Sequence, residues 1–195
     1  MTQPGLIVVI SAPSGAGKLT LLTKVREACR DLSSTVSATT RPKRQGEVDG
    51  KHYHFLDRSE FERRVAVGEF AEWAEVHGNL YGTLRSELDR CLRSGHDVLL
   101  ELDVQGMRNL RRLYPDAVTI FLMPPSLEEL ERRLRKRGTD GAAEIALRLR
   151  NAQEEMLARN EFDYIIVNEV VERAAGDMIA IMRAEHCRSH RVAPI

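Results

Sequence analysis

The sequence predicts an α/β fold, a parallel sheet flanked by helices, on three observations. The apolar run Leu6-Ile7-Val8-Val9-Ile10 leads straight into a glycine-rich turn and then a helical pattern. Three further near-continuous apolar segments follow: Val98 to Asp103, Ala117 to Met123 and Tyr164 to Val167. Helical stretches separate them. Strands that are apolar throughout are buried on both faces, and their alternation with helices argues for parallel crossover units.

In chain order, the first strand feeds Ser11-Ala12-Pro13-Ser14-Gly15-Ala16-Gly17-Lys18. This is a phosphate-binding loop in type: glycines let backbone N–H groups point inward, the next helix adds its positive end, and Lys18 meets the outer phosphates. Leu21, Leu22, Val25 and Cys29 give Leu19 to Arg30 the spacing of a crossover helix. Thr35 to Thr39 reads as a short strand, Arg41 to Gly50 as a charged loop, and His52 to Phe55 as a strand. Ser59 and Glu62 form a capping-box pattern that opens a helix ending before Gly68.

Glu69 to Val76, a turn at Gly78-Asn79, and Leu80 to Thr83 read as a hairpin. A helix from Arg85 to Ser94 stops at Gly95, and the second core strand ends in the acids Glu101 and Asp103. Ser126 and Glu129 cap a helix from Leu127 to Arg137, a second helix runs from Ala142 to about Arg159, and a last one from about Glu172 to His186 buries Ala175, Met178, Ile179 and Met182. The predicted core segments are 1–33, 91–125 and 159–195. Residues 34–90 break the rhythm as an insertion, and 126–158 form an arginine-rich helical region.

A chain of 195 residues with 43% hydrophobic content suits one domain, and 29 basic residues balance 29 acidic ones. No global field draws it to nucleic acid or anionic lipid. Three widely spaced cysteines, Cys29, Cys91 and Cys187, suggest neither a disulfide framework nor a zinc site. The absence of a leader pattern or a membrane-length apolar run predicts a soluble, unprocessed, cytoplasmic protein. A homo-oligomer is compatible with this composition, which does not fix the oligomeric state.

Acids at the carboxyl ends of parallel strands, such as Glu101 and Asp103, stand where such sheets bind ligands. They suit a hydrated magnesium ion or a hydrogen-bonding ligand, and equally an ordinary strand exit. Arg132, Arg133, Arg135, Lys136 and Arg137 form a basic face, with Arg133 and Arg137 at i, i+4. Glu128, Glu129 and Glu131 each precede an arginine by four residues, so solvated ion pairs explain that spacing as well.

The chain as a whole resembles guanylate kinase. The motifs that carry the resemblance are SAPSGAGK at the loop, Ser37 to Glu47 with Gly50-Lys51 and Tyr53, Glu69 to Trp73, and Asn79 to Thr83. Glu101 to Gly106, Arg133, Arg137-Gly138-Thr139, Arg148 and Ile166-Val167-Asn168 follow in the family's order. The resemblance implies a P-loop kinase with an inserted GMP-binding region and a helical lid. It implies transfer of the γ-phosphoryl group of ATP to GMP or dGMP, in purine nucleotide metabolism.

By likeness, ATP is held by Ala12, Pro13, Ser14, Gly15, Ala16, Gly17, Lys18, Leu19, Thr20 and Asn168. Arg41, Arg44, Tyr53 and Tyr81 hold the GMP phosphate, for which guanidinium forks and phenol hydroxyls are suitable donors. Ser37, Glu72, Thr83, Glu101 and Asp103 complete the GMP side. Glu72 accepts from the guanine N1–H and exocyclic amine, which adenine cannot match, and Thr83 stands where relatives commonly have Ser. Lys18, Arg41, Arg133, Arg137 and Arg148 are the implied catalytic cations. Trp73 is read as packing. Closure of the insertion and lid would exclude water from the transfer.

The pattern departs from the usual phosphate-binding loop at Ala12 and Leu19. Leu19 is the sharper departure, because relatives have a serine there whose hydroxyl ligates magnesium. The expected cofactor is Mg²⁺ carried by ATP, with Thr20, Glu101 or Asp103 reaching it through water and no protein ligand firmly assigned. Adenylate kinases also lack a hydroxyl at that position, so activity is expected. Two other readings are a phosphopeptide-recognising scaffold domain, which would lose the ATP loop that Gly15, Gly17 and Lys18 keep, and a sugar-phosphate kinase, which would not need the guanine-side set.

Overall fold

The computed structural model describes residues 5–29, 31–76, 78–136 and 141–192. In chain order the elements are β1 (Ile7–Ser11), α1 (Lys18–Ala28), β2 (Leu32–Ser34), β3 (Ala38–Thr39), β4 (His54–Phe55), α2 (Arg58–Ala66), β5 (Phe70–Val76) and β6 (Asn79–Leu84). They continue with α3 (Arg85–Arg93), β7 (Asp97–Glu101), α4 (Val104–Leu113), β8 (Val118–Met123), α5 (Leu127–Lys136), α6 (Ala142–Leu157), β9 (Tyr164–Val167) and α7 (Val171–His186). A 3-10 turn over Ala158–Glu161 follows α6. One sheet has the strand order β2-β7-β1-β8-β9, and a second has the order β4-β3-β6-β5.

The chain forms two compact units, residues 1–7 with 31–117 and residues 8–30 with 118–195. In the second, β1 and β9 both pair parallel with β8, Val8 opposite Val118 and Ile120 opposite Tyr164. The β1 strand is buried along its length, as its unbroken apolar run requires. Asp163 ties β9 to β8 by accepting from the Thr119 amide and hydroxyl at 2.8 and 2.7 Å. Helix α7 buries Ala174, Ala175, Met178 and Met182, while Ile179, expected in that core, is half-buried at the edge of the stripe.

In the first unit β2 and β7 pair parallel, and the second sheet is built from residues of the insertion. Its hairpin, β5 against β6, is antiparallel as the sequence predicts, with Glu72 opposite Thr83. Phe61 of α2 stacks on Phe70 at 4.3 Å, in a core with Ala38, Leu80 and Leu84.

Three local expectations change. Of the strand expected over Thr35 to Thr39 only Ala38–Thr39 forms, as β3, and the residues just before the expected segment form β2 instead, because pairing with β6 and β7 decides which residues are extended. Helix α2 starts two residues earlier than its serine suggests: Asp57 caps it by accepting from Glu60 N at 2.8 Å, and Ser59 donates to the same carboxylate. A charged cap also complements the helix dipole, which a hydroxyl does not. Asp103 is not in β7, and instead caps α4 by accepting from Gly106 N at 2.7 Å.

Candidate active site

In the unit that carries β1, the loop after the strand turns on Gly15 and Gly17, with φ of 95° and 90°. A Cβ at Gly17 would lie 2.5 Å from Asn168 Nδ2, so conformation and space both require glycine there. Asn168 is buried and donates from Nδ2 to Ala16 O at 2.8 Å, while its own amide is held by Met123 O. Helix α1 then begins with no side-chain cap and no acid in its first turn. Its leading amides and positive dipole end are therefore presented to an anion.

Arg133 joins this arrangement from α5. Its Nη1 donates to Ala16 O at 3.2 Å, Nη2 to Asn168 O at 3.0 Å and Nε to Glu129 at 2.7 Å. Arg148 of α6 reaches Ser14 Oγ at 3.3 Å and pairs with Glu144. Of the three ion pairs that the spacing suggests, Glu129–Arg133 and Glu131–Arg135 form, whereas Arg132 turns to Glu129 at i, i+3 and Glu128 is held by the Ser126 side chain. The hydrogen bonds of Arg132 and Arg133 hold the Glu129 carboxyl at about 2. Arg133 therefore does both jobs, salt-bridge partner and loop contact. The predicted residue Arg137, with Gly138 and Thr139, lies outside the described residues.

Of the remaining loop residues, Ala12 and Lys18 are half-buried, Pro13 is buried, and Thr20 is exposed. Leu19 is 73% exposed, and its side chain offers no oxygen. Among the described residues no three of His, Cys, Asp and Glu gather as a metal site. Asp103 already uses one carboxylate oxygen as a helix cap. These donors do not fit a protein-built cage; they fit a magnesium ion whose oxygens come from phosphate and water.

In the other unit a cavity of about 190 Å³ is lined by Ser37, Tyr53, Glu72, Tyr81, Glu101 and Asp103, with Gly82 and Leu102 among its walls. Glu72 comes from β5 and is only 6% exposed, and its Oε1 accepts from the Thr83 hydroxyl at 2.7 Å. Burial pushes the Glu72 carboxyl up to about 7, against the donors of Thr83 and with added repulsion from Asp103. Thr83, fully buried on β6, stands behind this acid. The period-two alternation of a hairpin strand puts Glu72 and Ala74 on the inner face and Trp73 on the other, where it is 41% exposed and not packed away as expected.

Beside the cavity, the Arg41 guanidinium lies 5.5 Å from the centre of the Tyr53 ring and 5.7 Å from that of Phe55, within cation–π range. Its Nη1 donates to Pro42 O and its Nη2 to Glu47 Oε1, each at 2.7 Å. The other Glu47 oxygen accepts from the Arg44 amide at 2.7 Å. The paired charges move both groups away from neutrality, the Glu47 carboxyl down and the Arg41 guanidinium up. Burial raises the Tyr53 phenol, whose ring meets that of Tyr81 at 6.1 Å. Arg44 is exposed and does not line the cavity.

Two residues, Glu47 and Gly106, stood in the sequence only as the ends of quoted motifs, with no role given to either. Glu47 had a signal, an acid three residues beyond an arginine in a glycine turn. Gly106 had one as well, a glycine placed inside a helix without a turn to make.

The guanylate kinase family model matches residues 5–185. A guanylate kinase of Carboxydothermus hydrogenoformans is 46% identical over 96% of this chain and 92% of its own. One of Syntrophotalea carbinolica is 49% identical over 98% of this chain and 91% of its own. The crystal structure of guanylate kinase from Anaplasma phagocytophilum, 38% identical, superposes with a TM-score of 0.78 over 97% of this chain and 90% of that one. With a parallel sheet, a glycine loop braced by Arg133 and Asn168, and near-complete alignment to these relatives, the chain belongs to the guanylate kinase family.

Proposed function

We propose that this chain transfers the γ-phosphoryl group of ATP to GMP, giving ADP and GDP. The observation that carries the reading is Glu72, a carboxylate buried in a nucleobase-sized cavity with one oxygen held by Thr83. A buried acid with no cation beside it is costly, and a ligand presenting two adjacent N–H donors repays that cost. Guanine does so through N1–H and its amine. Adenine presents an acceptor nitrogen there. A coupled ATP assay against GMP, dGMP, AMP, CMP and UMP tests this: GMP and dGMP react best, and Glu72→Gln abolishes the preference. Equal rates for all five, or an intact preference in the variant, overturns it.

The roles follow from chemistry. Arg41, Arg44, Tyr53 and Tyr81 bind the GMP phosphate, Ser37 and Asp103 border the nucleotide, and Glu101 lies at its rim. The glycine loop and the leading amides of α1 cradle the ATP phosphates, with Lys18 on the outer ones. The attacking phosphate oxygen is already anionic near neutral pH, so no side chain has to act as general base. Lys18, Arg41, Arg133, Arg137 and Arg148 spread positive charge over the transferring group. Mg²⁺, bound with ATP, supplies further neutralisation of the phosphate oxygens. The cytoplasm and purine nucleotide supply are the setting this reaction implies. Among the described residues no helix is long and apolar enough to cross a membrane.

A further inference from the structure

Gly106 sits in the first turn of α4, and its side is buried. Glycine inside a helix is unfavourable relative to alanine, and Gly106 has no positive φ to justify the choice. The justification is spatial. A Cβ at Gly106 would lie 3.0 Å from Asp103 Oδ1 and 3.1 Å from Glu72 Oε2, both inside ordinary van der Waals contact. The Asp103 oxygen belongs to an exposed residue and is the cap acceptor of the Gly106 amide itself. Glu72 has no room to give way, since it is buried and its other oxygen is held by Thr83 at 2.7 Å.

We propose that Gly106 is a specificity-determining positioning residue of the guanine pocket. Its missing side chain lets the Glu72 carboxylate seat against the first turn of α4 in the orientation that Thr83 fixes from the other side. Gly106 touches no substrate in this scheme and acts through Glu72. The inference rests on the reading of Glu72 as the guanine acceptor. Because bidentate acceptance of two N–H groups depends on carboxylate position within a few tenths of an ångström, a methyl group here weakens base recognition while leaving the phosphates in place.

The test is steady-state kinetics of Gly106→Ala with GMP and AMP, alone and in a Glu72→Ala background. The expected result is a KM for GMP raised at least fivefold with kcat within twofold, a smaller GMP-over-AMP preference, and less than a twofold further change when Glu72 is already absent. An unchanged KM, or an equal rise in both backgrounds, overturns the proposal. Should Gly106→Ala fail to fold, recovery of folding in the double variant supports the clash with Glu72, and failure of both overturns it. Glu72→Gln separates the two readings: an intact guanine preference sinks the acceptor assignment itself, whereas a lost preference beside a silent Gly106→Ala sinks only this inference.

Discussion

The Thr83 hydroxyl donates to Oε1 of Glu72 across 2.7 Å, with both side chains buried in facing strands of the hairpin. Removing that hydroxyl without changing shape leaves the acid with one donor fewer, held only by the Thr83 backbone. Thr83→Val should raise the KM for GMP about tenfold, the scale of a lost hydrogen bond to a charged group. Thr83→Ser, which keeps the donor, should stay within twofold in the same assay.

Proton competition should be visible in GMP binding. With its carboxyl at about 7 in the empty pocket, Glu72 must give up a proton below that pH before it can accept from guanine. The dissociation constant should therefore rise about fivefold between pH 7 and pH 6 from this group alone. Calorimetric titration across that range measures it, and the same titration of Glu72→Gln, which retains only the contribution of the GMP phosphate titrating near 6, supplies the baseline to subtract.

Stability should move in the opposite sense. The carboxyl is raised from 4.5 to about 7 on folding, so the folded state binds the extra proton. Its contribution is fully present below 4.5 and is lost as pH rises through 7. Glu72→Gln should stabilise the unliganded protein at pH 8, by on the order of 3 kcal/mol at most, and hardly at all at pH 4.5. Thermal melts at the two pH values decide it.

Arg133 contacts Ala16 O and Asn168 O together, so it braces the glycine loop. Arg133→Met should weaken ATP binding about tenfold or more, given the strength of charged hydrogen bonds. GMP binding measured without ATP should remain within twofold. Equal losses for both nucleotides would show a general folding defect.

Leu19 is exposed at the loop position where the family resemblance implies a magnesium-ligating hydroxyl. Leu19→Ser should lower the Mg²⁺ concentration needed for half-maximal rate at fixed ATP. An unchanged Mg²⁺ dependence would mean that phosphate and water already satisfy the ion.

The long apolar strands were legible because their pattern is local: β9 appears at the predicted residues, and β8 starts one residue later than its apolar run. The hairpin was equally readable from its glycine turn. What escaped depends on partners distant in sequence. The segment Leu32–Ser34 has no strand pattern of its own and is extended because β7 lies beside it. Asp103 resembles a strand-end ligand in sequence and proves to be a helix cap, since only three-dimensional placement shows which amide it meets. The approach of Gly106 to Glu72 spans 34 positions and leaves no periodic trace.

Arg41 and Arg44 share one short polar loop, and two like charges left alone would push it open. The Glu47 carboxylate bonds to the side chain of one and the amide of the other, so the loop is folded before any nucleotide arrives. On the proposed reading of Arg41 and Arg44, an incoming phosphate would exchange one counter-ion for another on a finished scaffold. The entropy of ordering that loop belongs to the folding of the protein and is not subtracted from the affinity for its substrate.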